Sequence, residues 1–437
     1  MGGDGGGEAI VQSPSHGERP GLTRTAQVIL LGVVWFLYTV HSMDRSILFL
    51  VMPDVQQEFR LSNQQVGLLS GLAYALPAAL CAIPFGVLGD RRDRKTILVV
   101  LVLAWSAATG LSALAASFLV LICLRAMVGG IESGAPPIML SVLADAFSPL
   151  RRPLALSIYY TAANAGVVLA GLLVHHAGAG HGWRQMMLMA AVPGLAVAFT
   201  VFAFVKFPAH HPGASGSPAA APVMATFRQL FRLPGFALVY VACVLGGMNT
   251  MAIGAWLSVF LVRGQGATIA EAGTIVALAQ GLAGVVGGLT GGAVATRFGQ
   301  GRLERLCLVA ACALGLSAPM GIAAGLVAGP GAAGWALAAW AFFAMMFIAP
   351  AHSALLQQVP QGIRATAAAM LIVGSQLVGA GLGPQLVAAF ADLFGRQGEG
   401  PALRHAIALM ASGTLVPAGL FVWCAVSRRL SISEQPA

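Results

Sequence analysis

Charge is what this 437-residue chain lacks: 9% of its residues are Asp, Glu, Lys or Arg, while 58% are hydrophobic. An ordinary soluble domain carries roughly a quarter charged residues. A single globule cannot hide this much apolar surface, because surface falls too slowly relative to volume as a domain grows. A lipid solvent removes the difficulty. Metal-ligand spacing is missing among the six cysteines (Cys81, Cys123, Cys243, Cys307, Cys312, Cys424), each of which lies inside an apolar run as a small packing group. No Gly-x-x-x-x-Gly-Lys-Ser/Thr loop occurs, which argues against ATP-driven work. No nucleophile–base pair or metal cluster stands at depth, which argues against an intramembrane enzyme. No cofactor is expected. Residues 1–25 are Gly-rich and polar and lack the apolar core of a cleavable signal peptide, so they are expected to form a disordered tail.

The net charge of +9 raises the question of a nucleic-acid partner. Phosphate-binding residues gather in one patch or stripe. Here the basic residues sit in short clusters between apolar runs along the whole chain, so no nucleic-acid partner is expected.

A membrane span needs ~20 apolar residues. Runs of that kind lie near 26–52, 66–89, 96–115, 118–146, 154–178 and 184–207, then near 236–262, 269–296, 303–327, 333–358, 365–393 and 402–427. Between the sets, His210 to Met224 contains Pro212-Gly213-Ala214-Ser215-Gly216-Ser217-Pro218, a flexible linker composition. The chain therefore divides into an N-terminal six-helix bundle (26–207), a cytoplasmic linker (208–232), a C-terminal six-helix bundle (233–427) and a tail (428–437). Arg60, Arg184, Arg263, Arg396 and Arg404 alone fall between helices on one side; the remaining interhelical arginines and both lysines fall on the other. That bias places both termini and the linker in the cytoplasm of a bacterial-type inner membrane.

The halves repeat. One constant offset carries Gly67 onto Gly273 and lays Gly86-Val87-Leu88-Gly89-Asp90-Arg91 over Gly292-Ala293-Val294-Ala295-Thr296-Arg297 without a gap. Repeated helical halves are how many secondary transporters build alternating access, with the solute site between the halves.

Of the 24 basic and 15 acidic residues, four lie deep in apolar helices: Asp44 and Arg45 in the first, Arg125 and Glu132 in the fourth. A charge at mid-bilayer costs roughly 2.5–3.5 kcal/mol even on the lenient insertion scale, so these four must face one another or a water-filled cavity. Arg125 and Glu132, two turns apart, share one face. Asp44 and Arg45 point about 100° apart and can address two partners. A structural ion-pair cluster fixing two helices is one reading. The other is a proton or ion site, because the pKa of a carboxylate beside an arginine in a low dielectric is tunable. His41 lies on the same face and can relay protons or simply hydrogen-bond locally; Tyr38 extends the stripe toward a solute. The offset maps Asp44 onto Thr250 and Arg45 onto Met251, so the second half has lost these charges. Its candidate cavity groups are neutral: Asn249, Thr250, Gln280, His352, Ser375 and Gln376, any of which could instead bond only to neighbouring helices. Such an asymmetric cavity suits an amphiphilic or anionic organic solute.

Gly86-Val87-Leu88-Gly89-Asp90-Arg91-Arg92-Asp93-Arg94-Lys95 resembles the signature loop of the major facilitator superfamily. The resemblance implies an all-α membrane fold of twelve helices in two pseudo-symmetric six-helix bundles around a central cavity. It also implies a conformational latch at Gly86, Asp90, Arg91 and Arg94. Asp93 stands where the family's turn has a glycine, and Thr296 replaces the acid in the second copy. Met43-Asp44-Arg45, Pro53-Asp54-Val55-Gln56-Gln57-Glu58-Phe59, Gly67-Leu68-Leu69, Arg125-Ala126-Met127-Val128-Gly129-Gly130-Ile131-Glu132 and Leu143-Ala144-Asp145-Ala146-Phe147 resemble the spinster-like lineage, whose animal members carry lysolipids and sphingoid phosphates. The Asp-Arg and Arg…Glu pattern is also similar to organic anion/cation symporters of sugar acids and other carboxylates. Carried over, Asp44 and Glu132 are the proton-linked acids, and Arg45 and Arg125 the anion partners. Asn164-Ala165-Gly166-Val167-Val168-Leu169-Ala170-Gly171 is a fragment of the antiporter pattern without its Gly-Pro pair. The expectation is a monomeric carrier of a small organic solute, driven by a proton gradient. A transport-fold sensor that binds without translocating is the rival from another class.

Overall fold

The structure, a computed structural model, describes residues 23–433 apart from 149–150, 178–179, 206, 208–222, 301 and 361–362. The expected N-terminal tail and the glycine-rich part of the linker lie almost wholly outside the described residues. So do positions 434–437 of the expected C-terminal tail.

Among the described residues, twelve helical stretches are long and apolar enough to cross a membrane. Spans 1 to 6 are Arg24–Leu50, Asn63–Ala82, Arg94–Ser112, Phe118–Ala146, Leu154–Ala177 and Trp183–Phe204. Spans 7 to 12 are Phe236–Gly264, Ile269–Gly299, Leu303–Leu326, Pro330–Gln357, Thr366–Leu393 and Glu399–Ser427. Two further helices escape a hydropathy reading because they are short: Met52–Phe59, between spans 1 and 2, and Val223–Phe231, within the expected linker.

The internal repeat extends to the helix caps. Span 2 starts with a capping box of Ser62 and Gln65, and span 8 starts with one of Thr268 and Glu271, at the same offset that relates Gly67 to Gly273. In each box the N-cap hydroxyl accepts from the backbone N–H three residues on, while the third residue's side chain accepts from the N-cap backbone, so two orphan donors are satisfied. Packing repeats as well. Spans 1 and 5, 2 and 4, and 3 and 6 pair in the first bundle; spans 7 and 11, 8 and 10, and 9 and 12 pair in the second.

The two bundles meet at one end only of their apolar cores. Among the described residues one buried cluster crosses between them, joining Ile47, Leu50 and Val66 to Trp256, Phe260 and Val387. Toward the end where span 1 begins, each bundle has its own core, around Trp105 in the first and Phe347 in the second. Glycines make the shared end close enough to seal. A Cβ on Gly171 (span 5) would stand 2.5 Å from the Gly273 carbonyl oxygen (span 8), and a Cβ on Gly67 (span 2) 3.0 Å from that of Pro384 (span 11). These two crossings are copies of each other under the repeat. Polar contacts close the rim: Asn63 Nδ2 donates to Asp392 Oδ1 at 2.8 Å, Ser258 Oγ donates to the Leu50 carbonyl at 2.6 Å, and Thr274 Oγ1 lies 2.8 Å from His175 Nδ1.

Candidate functional site

The four intramembrane charges gather in the first bundle, about 9 Å along span 1 from the seal at 1.5 Å per residue. Asp44, Arg125 and Glu132 are 2%, 4% and 0% exposed, whereas Arg45 is only half-buried. Among the described residues no arginine forms an ion pair with either acid. An aromatic residue joins them instead. Tyr74 of span 2 donates its hydroxyl to Glu132 Oε2 at 2.7 Å, and the guanidinium carbons of Arg125 and Arg45 stand 4.7 Å and 4.9 Å from its ring centroid. Arg125 also lies 5.3 Å from the Phe49 ring. Cation–π contacts satisfy a guanidinium's charge partly while leaving its N–H fork free for an anion.

Hydrogen-bonding capacity remains open at depth. Among the described residues, neither Asp44 carboxylate oxygen, nor Nε or Nη2 of Arg125, makes a hydrogen bond of ordinary geometry, although the Trp105 indole stands beside Asp44. A buried ionised group without partners is costly. A proton on the acid or an anion against the guanidinium removes that cost, so the arrangement is suited to exchange one for the other.

His41 Nδ1 lies 4.0 Å from Glu132 Oε1. Its ring stacks on Tyr38 at 5.5 Å and meets Trp105 edge-on at 5.8 Å; Tyr38 stacks on Tyr159 at 4.5 Å, and Tyr159 meets Tyr160 at 5.2 Å. This aromatic row runs from the fully buried Trp105 to Tyr160, which is 54% exposed. His41 and Tyr38 are legible in the sequence; Tyr74, Trp105, Tyr159 and Tyr160 are not named by it. The signal was scarcity: the chain has 5 tyrosines, and all except Tyr240 belong to this cluster.

The neutral wall is less convergent. Asn249 donates to the Leu245 carbonyl at 3.0 Å and packs against Gly413, and Thr250 donates to the Gly246 carbonyl at 3.2 Å. Both are buried and spend their donors on their own helix, as polar residues in membrane helices commonly do. His352 is exposed, and Gln376 and Ser375 are half-buried. Gln376 and Gln280 lie in π-helical stretches, Ser375–Leu382 and Ala277–Ala283, a distortion that re-aims side chains and is frequent at functional sites. Gln280 is the repeat counterpart of Tyr74. With Ser46, Phe49, Leu50, Gly254 and Ser258 it lines a space of about 20 Å³ between the bundles, room for one water. The span 5 glycines have packing roles: Gly171 makes the seal, and a Cβ on Gly166 would collide with the Thr39 carbonyl of span 1.

At the expected latch, Gly86, Asp90 and Arg91 lie in the last part of the helix Leu72–Arg91, and the side chains of Asp90 and Arg91 lie outside what is described. Arg94 is buried, and its Nη1 donates to Asp145 Oδ2 at 2.5 Å. Its partner thus lies at the end of span 4 in its own bundle. Asp93 has φ −63°, so the turn needs no glycine; it is the N-cap of span 3 and accepts from the Thr96 backbone N–H at 2.8 Å and hydroxyl at 2.6 Å. These bonds to Thr96 hold its carboxyl below the usual range. Asp93→Ala is expected to cost about 1 kcal/mol, read as a lower apparent Tm in detergent. Because the folded-state pKa is lowered, the gap to the parent is full above about pH 4 and closes as pH falls through the native value. An equal Tm at neutral pH would mean the cap is idle.

The chain is 27% identical over 282 residues to a probable sulfoacetate transporter of Cupriavidus necator, covering 62% of this chain and 65% of the relative. It is 28% identical over 246 residues to the sphingosine-1-phosphate transporter of Danio rerio, covering 54% and 48%. In both cases it spans less than two thirds of the relative's length. A bacterial homolog of the human lysosomal transporter Spinster, crystallised in an inward-facing and unoccupied conformation, superposes with a TM-score of 0.81 at 21% identity over 95% of this chain and 100% of that one. The family model of the Major Facilitator Superfamily matches residues 34–384. Twelve spans, two repeated bundles and that match together make this chain a member of the major facilitator superfamily.

Proposed function

We propose that this transporter moves a small organic solute with an anionic head and an apolar body, lysolipid-like in character, by proton-coupled alternating access. Asp44 and Glu132 carry the exchangeable protons, with His41 as relay. Arg45 and Arg125 take the anionic group, and Tyr38, with His352 and Gln376 across the cavity, lines the solute's path. The observation that carries this reading is Asp44: buried, with neither oxygen in a hydrogen bond of ordinary geometry among the described residues, one residue from a half-buried arginine free of any acid partner. The aromatic row to Tyr160 supplies an apolar surface beside the charged groups. The basic-residue bias supports cytoplasmic termini in a bacterial-type inner membrane, with the sealed end outward. The cycle requires one chain, and the proton gradient is its energy source.

A second reading, proton-coupled symport of a sugar acid or other carboxylate, is favoured by the sulfoacetate relative, since sulfoacetate and sphingosine-1-phosphate are both organic anions. A thermal-shift panel of lysophospholipids, sphingoid phosphates, sugar acids and small sulfonates separates the two, because a ligand bound to the folded state raises apparent stability by mass action. The best binder is then followed as labelled solute in proteoliposomes with an imposed pH gradient. Accumulation that collapses with a protonophore is expected. Flux indifferent to the gradient refutes coupling, and binding with no flux leaves the sensor.

A further inference from the structure

The helix Val223–Phe231 lies ahead of span 7, apart from the candidate transport site. Phe227 and Phe231 stack at 4.9 Å and remain 40% and 38% exposed. Arg228 and Arg232, one turn apart, are both exposed and have no acidic partner among the described residues. These four side chains line a groove of about 510 Å³. The groove is held in place from beneath. Leu230 is fully buried in the second bundle's core, and Phe231 packs edge-on against Phe236 and Tyr240, at 5.8 Å and 5.6 Å. Span 7 begins at Phe236, so the helix sits at membrane-surface level.

We propose that this groove is a binding site for an anionic phospholipid of the adjoining leaflet. The phosphate sits between Arg228 and Arg232, whose guanidinium forks match phosphate oxygens, and the upper acyl chain lies on Phe227 and Phe231. A soluble anion would use the arginines and leave the phenylalanine pair in water. A zwitterionic lipid would use the phenylalanines and bring its own cation to the arginines. An anionic lipid alone satisfies both halves of the groove, and arginines next to a span draw such headgroups.

The test uses the full-length protein in detergent, analysed by native mass spectrometry with matched-chain phosphatidylglycerol and phosphatidylcholine. Phosphatidylglycerol adducts are expected to dominate. Arg228→Gln or Arg232→Gln should weaken them about fivefold each, and the double variant on the order of 25-fold, the size expected for one surface arginine per anionic lipid. Arg396→Gln, at an exposed arginine on the opposite side of the membrane, should leave them unchanged. Equal retention of the two lipids overturns the proposal, as does a double variant that elutes as the parent does and keeps its adducts. Inorganic phosphate that displaces phosphatidylglycerol at equal concentration overturns it too, because the site would then read phosphate without the membrane. Phe227→Ser with Phe231→Ser is a second variant that leaves the arginines in place; it should lower lipid retention and leave any inorganic phosphate binding unaltered.

Discussion

Asp44→Asn is expected to abolish solute accumulation driven by a pH gradient while preserving solute exchange in the absence of one. Asparagine has nearly the volume of a protonated aspartate and stays neutral, so it mimics the loaded acid at a site that is 2% exposed. The core around it should be undisturbed. Each coupled proton converts one pH unit into about 1.36 kcal/mol, or tenfold accumulation. The variant should therefore fall from about tenfold per unit to no gradient. Counterflow with labelled solute on one side and unlabelled on the other checks that binding and rocking survive. Full accumulation by the variant would remove Asp44 from the coupling, and loss of counterflow as well would make it a solute contact or a structural group. Glu132→Gln is the informative partner. Glutamine still offers an oxygen to the Tyr74 hydroxyl that now donates to Glu132 at 2.7 Å, so the link between spans 2 and 4 persists while the charge is lost.

Gly171→Val is expected to shift the protein toward states in which the sealed end is open. The Cβ alone would stand 2.5 Å from the Gly273 carbonyl oxygen, before either valine methyl is placed. Overpacking of this kind costs about 1–3 kcal/mol. Here the cost falls on one conformation only, because the clash is between bundles and disappears when they separate. A penalty of that size moves a two-state equilibrium by roughly 5- to 150-fold. Spin labels on spans 5 and 8 at that end should report longer distances, and a cysteine placed there should become more reactive from that side. An unchanged distance distribution would mean that the two spans do not part during the cycle. Gly166→Val provides the contrast. Its neighbour is the Thr39 carbonyl inside the same bundle, so it should lower apparent stability in every conformation rather than redistribute them.

The deepest charges were legible because a charge in an apolar run is conspicuous in one dimension, and their faces follow from helical geometry. Their partners were not. Arg125 and Glu132 share a face of span 4, and Tyr74 from span 2 donates to Glu132 while its ring meets Arg125. Arg94 reads as part of the latch, and its contact with Asp145 at the end of span 4 is made only in three dimensions. The capping boxes at Ser62 and Thr268 lay open in the sequence as matching Ser/Thr-x-x-Gln/Glu patterns. They extend the repeat in the register that Gly67 and Gly273 set.

What the sequence determined by itself was the number of spans, their division into related halves and which charges fall within apolar spans. Hydropathy, spacing and the repeat act along the chain and are decided within one helix at a time. Only the tertiary structure decided that Tyr74 links the buried charges, that Asn249 and Thr250 spend their donors on their own helix, and which end of the two bundles is sealed. Those outcomes depend on side chains brought together from helices far apart in the chain, and on how closely glycines let two backbones approach.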